Sequence, residues 1–292
     1  MPSLPALRSF LFVPGGRPDF LPKAMEAGAD ALVFDLEDSV PPGAKGVART
    51  HVSAWLAGMT DRLTFIRFNH PSAGDLDKDL AVLAPHGSQA IMLPKVEAAE
   101  DLRELDGRLS SFESAHGLAP QAIGIVVVIE SSIGLRHLFD ILRSTSRVRG
   151  AGLASAEQGD FLADIGGQWT PTGEALSYAR GKFVCDARAA RASWLIDGAF
   201  MNLRDERALE AESRIARIHG FNGKVALNPR QVPTINRVFS PTVEEIERAR
   251  GLLEAFREAE AVGRGAAQFR EMMIDYANVR WAEGILKLAG IT

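Results

Sequence analysis

Short apolar runs rich in β-branched and aromatic residues alternate along the chain with longer stretches of helical period. The strand candidates are SFLFV (9–13), ALVFDL (31–36), LTFIRF (63–68), QAIMLP (89–94), IGIVVVIE (123–130), VRGAGLA (148–154), GAFMNL (198–203) and KVALN (224–228). Several are apolar throughout, which suits parallel strands covered on both faces. Helical patterns fall between them, among others at 18–28, 43–58, 97–109 and 205–219. Ser240, followed by Pro241 and then by Glu244 and Glu245, reads as the N-cap of another helix. Strands alternating with helices in this number predict a (β/α)8 TIM barrel over residues 1–240, with an open sheet of six or seven strands as the alternative. Residues 241–292 exceed what the barrel needs. They read as a long helix (242–262), a Gly-containing link and a second helix near 276–289, a C-terminal helical extension.

Barrel chemistry sits at the C-terminal ends of the strands. Those ends carry Asp35, Glu37 and Asp38, then Arg67 and Asn69, then Lys95, Glu130, Glu157 and Asp160, and finally Asn202, Arg204, Asp205, Asn228 and Arg230. Glu130 closes an apolar run, where a carboxylate needs a cation or a donor. It is either an acid near the start of the helix SSIGLRHLF or a metal ligand or acid–base group. Carboxylates on adjacent strands suit Mg2+, which takes oxygen donors and often only one or two protein carboxylates. The histidines (His51, His70, His86, His116, His137 and His219) form no HxH or HExxH pair, which argues against a histidine-held transition metal. His70 follows strand three, where it either approaches the site or serves as a loop or surface residue, the latter being the main reading. Arg67 is placed either to grip a substrate carboxylate or to pair with Asp35 or Glu37, and the two are compatible. Lys95 is the weaker alternative electrophile, as a Schiff-base lysine. PGGRP, with Arg17 and Lys23 close by, is either a phosphate contact or a plain turn, and matches no phosphate-loop motif. Ser131 and Ser155 lack the glycines of a nucleophile elbow.

Composition adds exclusions. The chain is 46% hydrophobic and 24% charged, ordinary for a globular protein. A net charge of -4 and a pI of about 5.9 give no field that favours nucleic acid or an anionic membrane. Cys185 has no second cysteine to pair with, no run approaches the ~20 apolar residues of a bilayer span, and MPSLPALRSF does not read as a signal peptide. The expectation is a soluble cytoplasmic protein.

The stretch RSFLFVPGGRPDFLPKAMEAGADALVFDLEDSVPPGAKGVAR closely resembles the opening of the citrate lyase β-subunit group within the HpcH/HpaI aldolase family. FIRFN, IMLPKVE, VVVIESSIGL, DFLADIG and GFNGKVALNPRQVPTINRVFSPTVEEIERAR continue the match in order over roughly 8–262. The resemblance implies a phosphoenolpyruvate-type TIM barrel, trimeric or hexameric, that uses Mg2+. It implies a carbon–carbon lyase acting on a 3-hydroxyacyl-CoA thioester of the citryl-, citramalyl- or malyl-CoA type, releasing a 2-keto acid and an acyl-CoA. By position, Glu130 and Asp160 match the metal ligands, and Arg67 the arginine that binds the keto-acid carboxylate. Glu37 supports that site, Lys23 falls where CoA phosphates are contacted, and Asp275 matches an acid/base aspartate carried over a neighbouring subunit. Asp164 becomes a structural acid and Glu157 an open position. The chain departs from the pattern in SAEQGD, about one residue longer than usual, in Asn228-Pro229 where His-Pro is usual, and in REMMID, which lacks a glycine. The alternatives are an aldolase of free 2-keto or 2-hydroxy acids without CoA, a thioesterase or synthase variant, and a non-enzymatic subunit that kept the barrel.

Overall fold

The computed structural model describes residues 5–59, 63–83 and 89–291. His86 and the first four residues of MPSLPALRSF lie outside that range. The described chain divides into two compact units, Met1–Arg237 and Val238–Thr292.

The first unit is a closed barrel of parallel strands in chain order, β1 (Ser9–Pro14), β2 (Ala31–Asp35), β3 (Thr64–Arg67), β4 (Gln89–Leu93), β5 (Gly124–Ile129), β6 (Val148–Leu153), β7 (Trp194–Asp197) and β8 (Gly223–Ala226), with β8 paired back to β1. The (β/α)8 expectation holds. Alternate residues face the interior. Phe10, Phe65 and Trp194 stack edge to face in its lower layer, each neighbouring pair of rings 5.4 Å apart. Gly150 makes room for them, since a Cβ there would come within 2.4 Å of the Trp194 carbonyl oxygen. Val33, Met92 and Val126 continue the core upward. The same two-residue period carries Val33 to Asp35, Phe65 to Arg67, and Val126 through Val128 to Glu130. Three charged groups are thus set at the C-terminal mouth, above a floor that excludes water.

Strand seven is a correction. GAFMNL (198–203) is not a strand, and WLID at Trp194–Asp197 is, in register with Gly150–Leu153. Asp197 hides the strand in the sequence. It faces outward, where Lys224 Nζ (2.6 Å) and Arg180 Nε (3.1 Å) neutralise it, so an acid can sit in a fully buried run. Gly198 ends the strand against Ser155: a Cβ there would meet the Ser155 backbone nitrogen at 2.6 Å.

The second unit packs the helix Val243–Ala261 on the helix Tyr276–Leu288 through Leu252, Phe256, Ile274 and Ala282. Ser240 is not its N-cap. Thr242 accepts from the Glu245 N–H (3.1 Å), and the Glu245 carboxylate accepts from the Thr242 N–H (2.7 Å), a reciprocal pair that fixes the start two residues later. The link between the helices contains an unanticipated antiparallel hairpin, β9 (Ala267–Phe269) and β10 (Met272–Ile274), turned at Arg270, whose φ is +55°. Among the described residues no helix is long and apolar enough to cross a membrane.

Candidate active site

The site is built from the loops that follow β2 to β6. Asp35 ends β2. Its carboxylate accepts from the backbone N–H groups of Glu37 (2.9 Å) and Ser39 (3.2 Å), curling the loop, and takes two parallel bonds from Arg67, from Nε (2.6 Å) and Nη2 (2.7 Å). Burial opposes its charge, but Arg67 and these N–H donors hold the carboxyl below its ordinary value. Arg67 Nη1 lies 3.1 Å from Glu37 Oε2, and the guanidinium sits 5.1 Å from the centre of the Phe12 ring. Of its five N–H donors, two remain after these bonds.

Lys95 follows β4 in the left-handed region (φ +57°) and aims its ammonium at Glu37, with Asp38 3.3 Å away. Burial raises the Glu37 carboxyl against the pull of Arg67 and Lys95. These acids carry Lys95 well above its ordinary value despite partial burial. A lysine so firmly protonated is a poor carbonyl nucleophile, which argues against the Schiff-base alternative.

Glu130 stands just past β5, buried, its carboxyl pushed up to about 8 by burial first, then by Asp160 and Glu37. Asp160 opens the short helix Asp160–Asp164 on the same cavity as Glu130, close enough to push the Glu130 carboxyl up. Two carboxylates facing each other on the edge of a cavity repel unless a proton or a cation lies between them. That donor set, all oxygen, fits Mg2+. Among the described residues no three acidic, histidine or cysteine side chains form a complete metal cage, so such an ion would keep positions for water or substrate.

These two acids line a cavity of about 490 Å3 together with His70, Ser72, Lys95, Glu97, Ser131 and Asp164. His70 therefore belongs to the cavity wall rather than to the surface; its Nδ1 faces Ser72 Oγ at 2.8 Å. Asp164 accepts from the Ser132 N–H at 2.6 Å and ties its helix to the loop after β5, a structural role. Glu157 is half-buried on a turn beside the cavity. Within SAEQGD, Gln158 sits in the left-handed region with a φ of +57°.

Other sequence candidates lie elsewhere. Lys23 is exposed on the helix Leu21–Glu26, near the Arg17–Asp19 ion pair. Asp275 caps the helix Tyr276–Leu288, accepting from the Ala277 N–H at 2.8 Å. Asn228 caps the turn Pro229–Gln231. The sequence reading missed Lys45, which donates to the carbonyls of Leu36 (2.9 Å) and Glu37 (3.2 Å) and to Asn69, fastening the β2 loop to the β3 loop. It also missed Glu97, which accepts from Ser131 Oγ at 2.6 Å; its signal was its place four residues past strand four.

A match to the HpcH/HpaI aldolase/citrate lyase family spans residues 8–229. The chain belongs to this family. It is an enzyme of the lyase class. The citrate lyase subunit beta of Leuconostoc mesenteroides subsp. cremoris is 33% identical, covering 97% of this chain and 93% of that one. The L-malyl-CoA/beta-methylmalyl-CoA lyase of Rhodobacter capsulatus is 30% identical, covering 97% and 94%. Among solved structures, the CitE protein of Mycobacterium tuberculosis in complex with magnesium, acetoacetate and coenzyme A superimposes with a TM-score of 0.78 at 28% identity, covering 98% of both chains.

Proposed function

We propose that this family member is a Mg2+-dependent carbon–carbon lyase that cleaves a 3-hydroxyacyl-CoA thioester of the citryl-, citramalyl- or malyl-CoA type into a 2-keto acid and an acyl-CoA. The observation that carries the reading is the facing pair Glu130–Asp160 at the barrel mouth, on the same cavity as Lys95 and beside the Arg67–Asp35–Glu37 cluster. The magnesium of the Mycobacterium tuberculosis CitE complex and the L-malyl-CoA/beta-methylmalyl-CoA lyase of Rhodobacter capsulatus support it.

Glu130 and Asp160 would hold the ion, which when bound supplies Lewis-acid polarisation of the oxygen that becomes the keto group. Arg67, its two free N–H donors fixed in direction by Asp35 and Glu37, binds the substrate carboxylate. Lys95 holds Glu37 in place. In the cleavage direction a base takes the hydroxyl proton, the bond between the hydroxyl-bearing carbon and the thioester α-carbon breaks, and its electron pair stays on the thioester side as an enolate. We assign Asp275 as the acid that returns a proton to that carbon, from a second unit that acts as a lid over a neighbouring subunit of a homotrimer or hexamer. Lys23 is assigned to the CoA phosphates.

The test is cleavage of citryl-, citramalyl- and malyl-CoA with Mg2+, reading oxaloacetate, pyruvate and glyoxylate, beside the free acids without CoA. EDTA, Glu130→Gln and Asp160→Asn should each abolish keto-acid release. Activity retained in all three would sink the assignment of the metal site.

A further inference from the structure

A second polar cavity, of about 340 Å3, opens between the loops after β7 and β8. Its walls are held by Gln231, which is buried. The Gln231 side chain donates to the Phe200 carbonyl (2.9 Å) and accepts from the Leu227 N–H (2.8 Å), binding the two loops together. Arg204 projects from one loop and Arg230 from the other, both exposed. Their backbone N–H groups are fixed by Asn202 and Asn228, at 3.1 and 3.0 Å. Among the described residues neither guanidinium has a hydrogen-bond or ion-pair partner.

The two acids on the same wall are committed elsewhere. Asp205 accepts from the Ala208 N–H at the start of the helix Glu206–His219 (3.0 Å), and Glu206 accepts from Thr234 Oγ1 (2.7 Å) and faces Arg237. The cavity thus holds two forked cations that no acid contacts directly, its two carboxylates being turned to other donors. Planar guanidinium forks match the oxygens of a phosphate group. The mouth of β7 and β8 is also where barrels commonly place such groups.

We infer that this cavity is an anion subsite in which Arg204 and Arg230 together bind a phosphate or diphosphate group. The group has two possible sources, the phosphates of a CoA thioester bound for the reaction proposed above or a separate phosphate-bearing ligand. The site stands on its own geometry in either case.

Calorimetric titration of the full chain with inorganic diphosphate, in buffer without divalent metal, tests it. The wild type is expected to bind saturably. The Arg204→Gln/Arg230→Gln double variant should bind at least about tenfold more weakly, the size of losing one charge-assisted bond. Arg207→Gln, one exposed charge removed outside the cavity, should bind as the wild type does, and all three proteins should melt together. A parallel loss of CoA affinity in the double variant assigns the site to CoA; unchanged CoA affinity assigns it to a separate ligand. Either supports the subsite. Absence of diphosphate binding by the wild type, equal affinity in the double variant, or an equal loss in Arg207→Gln overturns it. The titration needs no turnover, so failure of the lyase assay and failure of this site are read separately.

Discussion

The Arg67 guanidinium commits two N–H groups to Asp35 and one to Glu37, so its direction is set before any substrate arrives. Asp35 is almost fully buried. Asp35→Asn keeps the shape but leaves the half-buried arginine without its main counter-charge, and breaking a buried pair from one side costs about 3–5 kcal/mol. Urea unfolding should show a loss of that order; a change below about 1 kcal/mol would contradict the clamp. Lys95 makes a different prediction. Glu37 and Asp38 keep it protonated, so borohydride added with pyruvate should trap no imine on the chain and leave activity intact, as read by mass spectrometry and assay. Arg67 and Glu130 stood out in the sequence because a charge at the end of an apolar run has few explanations, whereas Asp160 stood out only through the family resemblance. Lys45 was not, because its partners are mostly backbone carbonyls, which leave no mark on side-chain patterns.

Seven of the barrel strands follow runs that the sequence makes plain, because a strand apolar on both faces has little else to be. β7 escaped because its outward acid pairs with Lys224 and Arg180, residues 27 and 17 positions away, and no local pattern reports a partner so remote. The hairpin β9–β10 escaped for the opposite reason: its strands are three residues each, too short for a period to show. The cap that follows the hairpin separates structure from chemistry at Asp275. Asp and Asn cap helices about equally well, and Ala costs about 1 kcal/mol. Asp275→Asn should therefore keep the stability of the chain while lowering the cleavage rate, whereas Asp275→Ala should lower both. Full activity in Asp275→Asn, with CoA-thioester cleavage as the readout, would leave Asp275 only its cap.

Across the barrel wall, charge is buried in two separate networks, and both shape the pH range of the fold. Arg147, before β6, donates to both carboxylate oxygens of Glu113 (2.6 and 2.7 Å) from among the helices, and Lys224 bridges Asp197 (2.6 Å) and Glu212 (2.7 Å) behind β7 and β8. Burial opposes ionisation of Asp197 and Glu113, but their cationic partners win and hold both carboxyls below their ordinary values. A carboxyl depressed in the folded chain contributes stability above its unfolded value and loses it as pH falls through the folded one. Burial likewise opposes the charge on Lys224, and its two acids raise it; that contribution is present below the ordinary lysine range and is lost as pH rises through the folded value. The fold should thus weaken at both extremes. The Asp197→Asn/Lys224→Met double variant removes one charge of each sign, so the net charge of the network is unchanged. Its unfolding free energy should fall less than that of the wild type between about pH 7 and about pH 3, because Asp197, whose depressed carboxyl loses its contribution as pH falls, is gone. Denaturant titrations at the two pH values measure this, and equal acid losses in the two proteins would show that the network does not set the acid limit. The carboxylates of the proposed metal site are outside this comparison, since they face the barrel mouth while Asp197 and Lys224 face the helices.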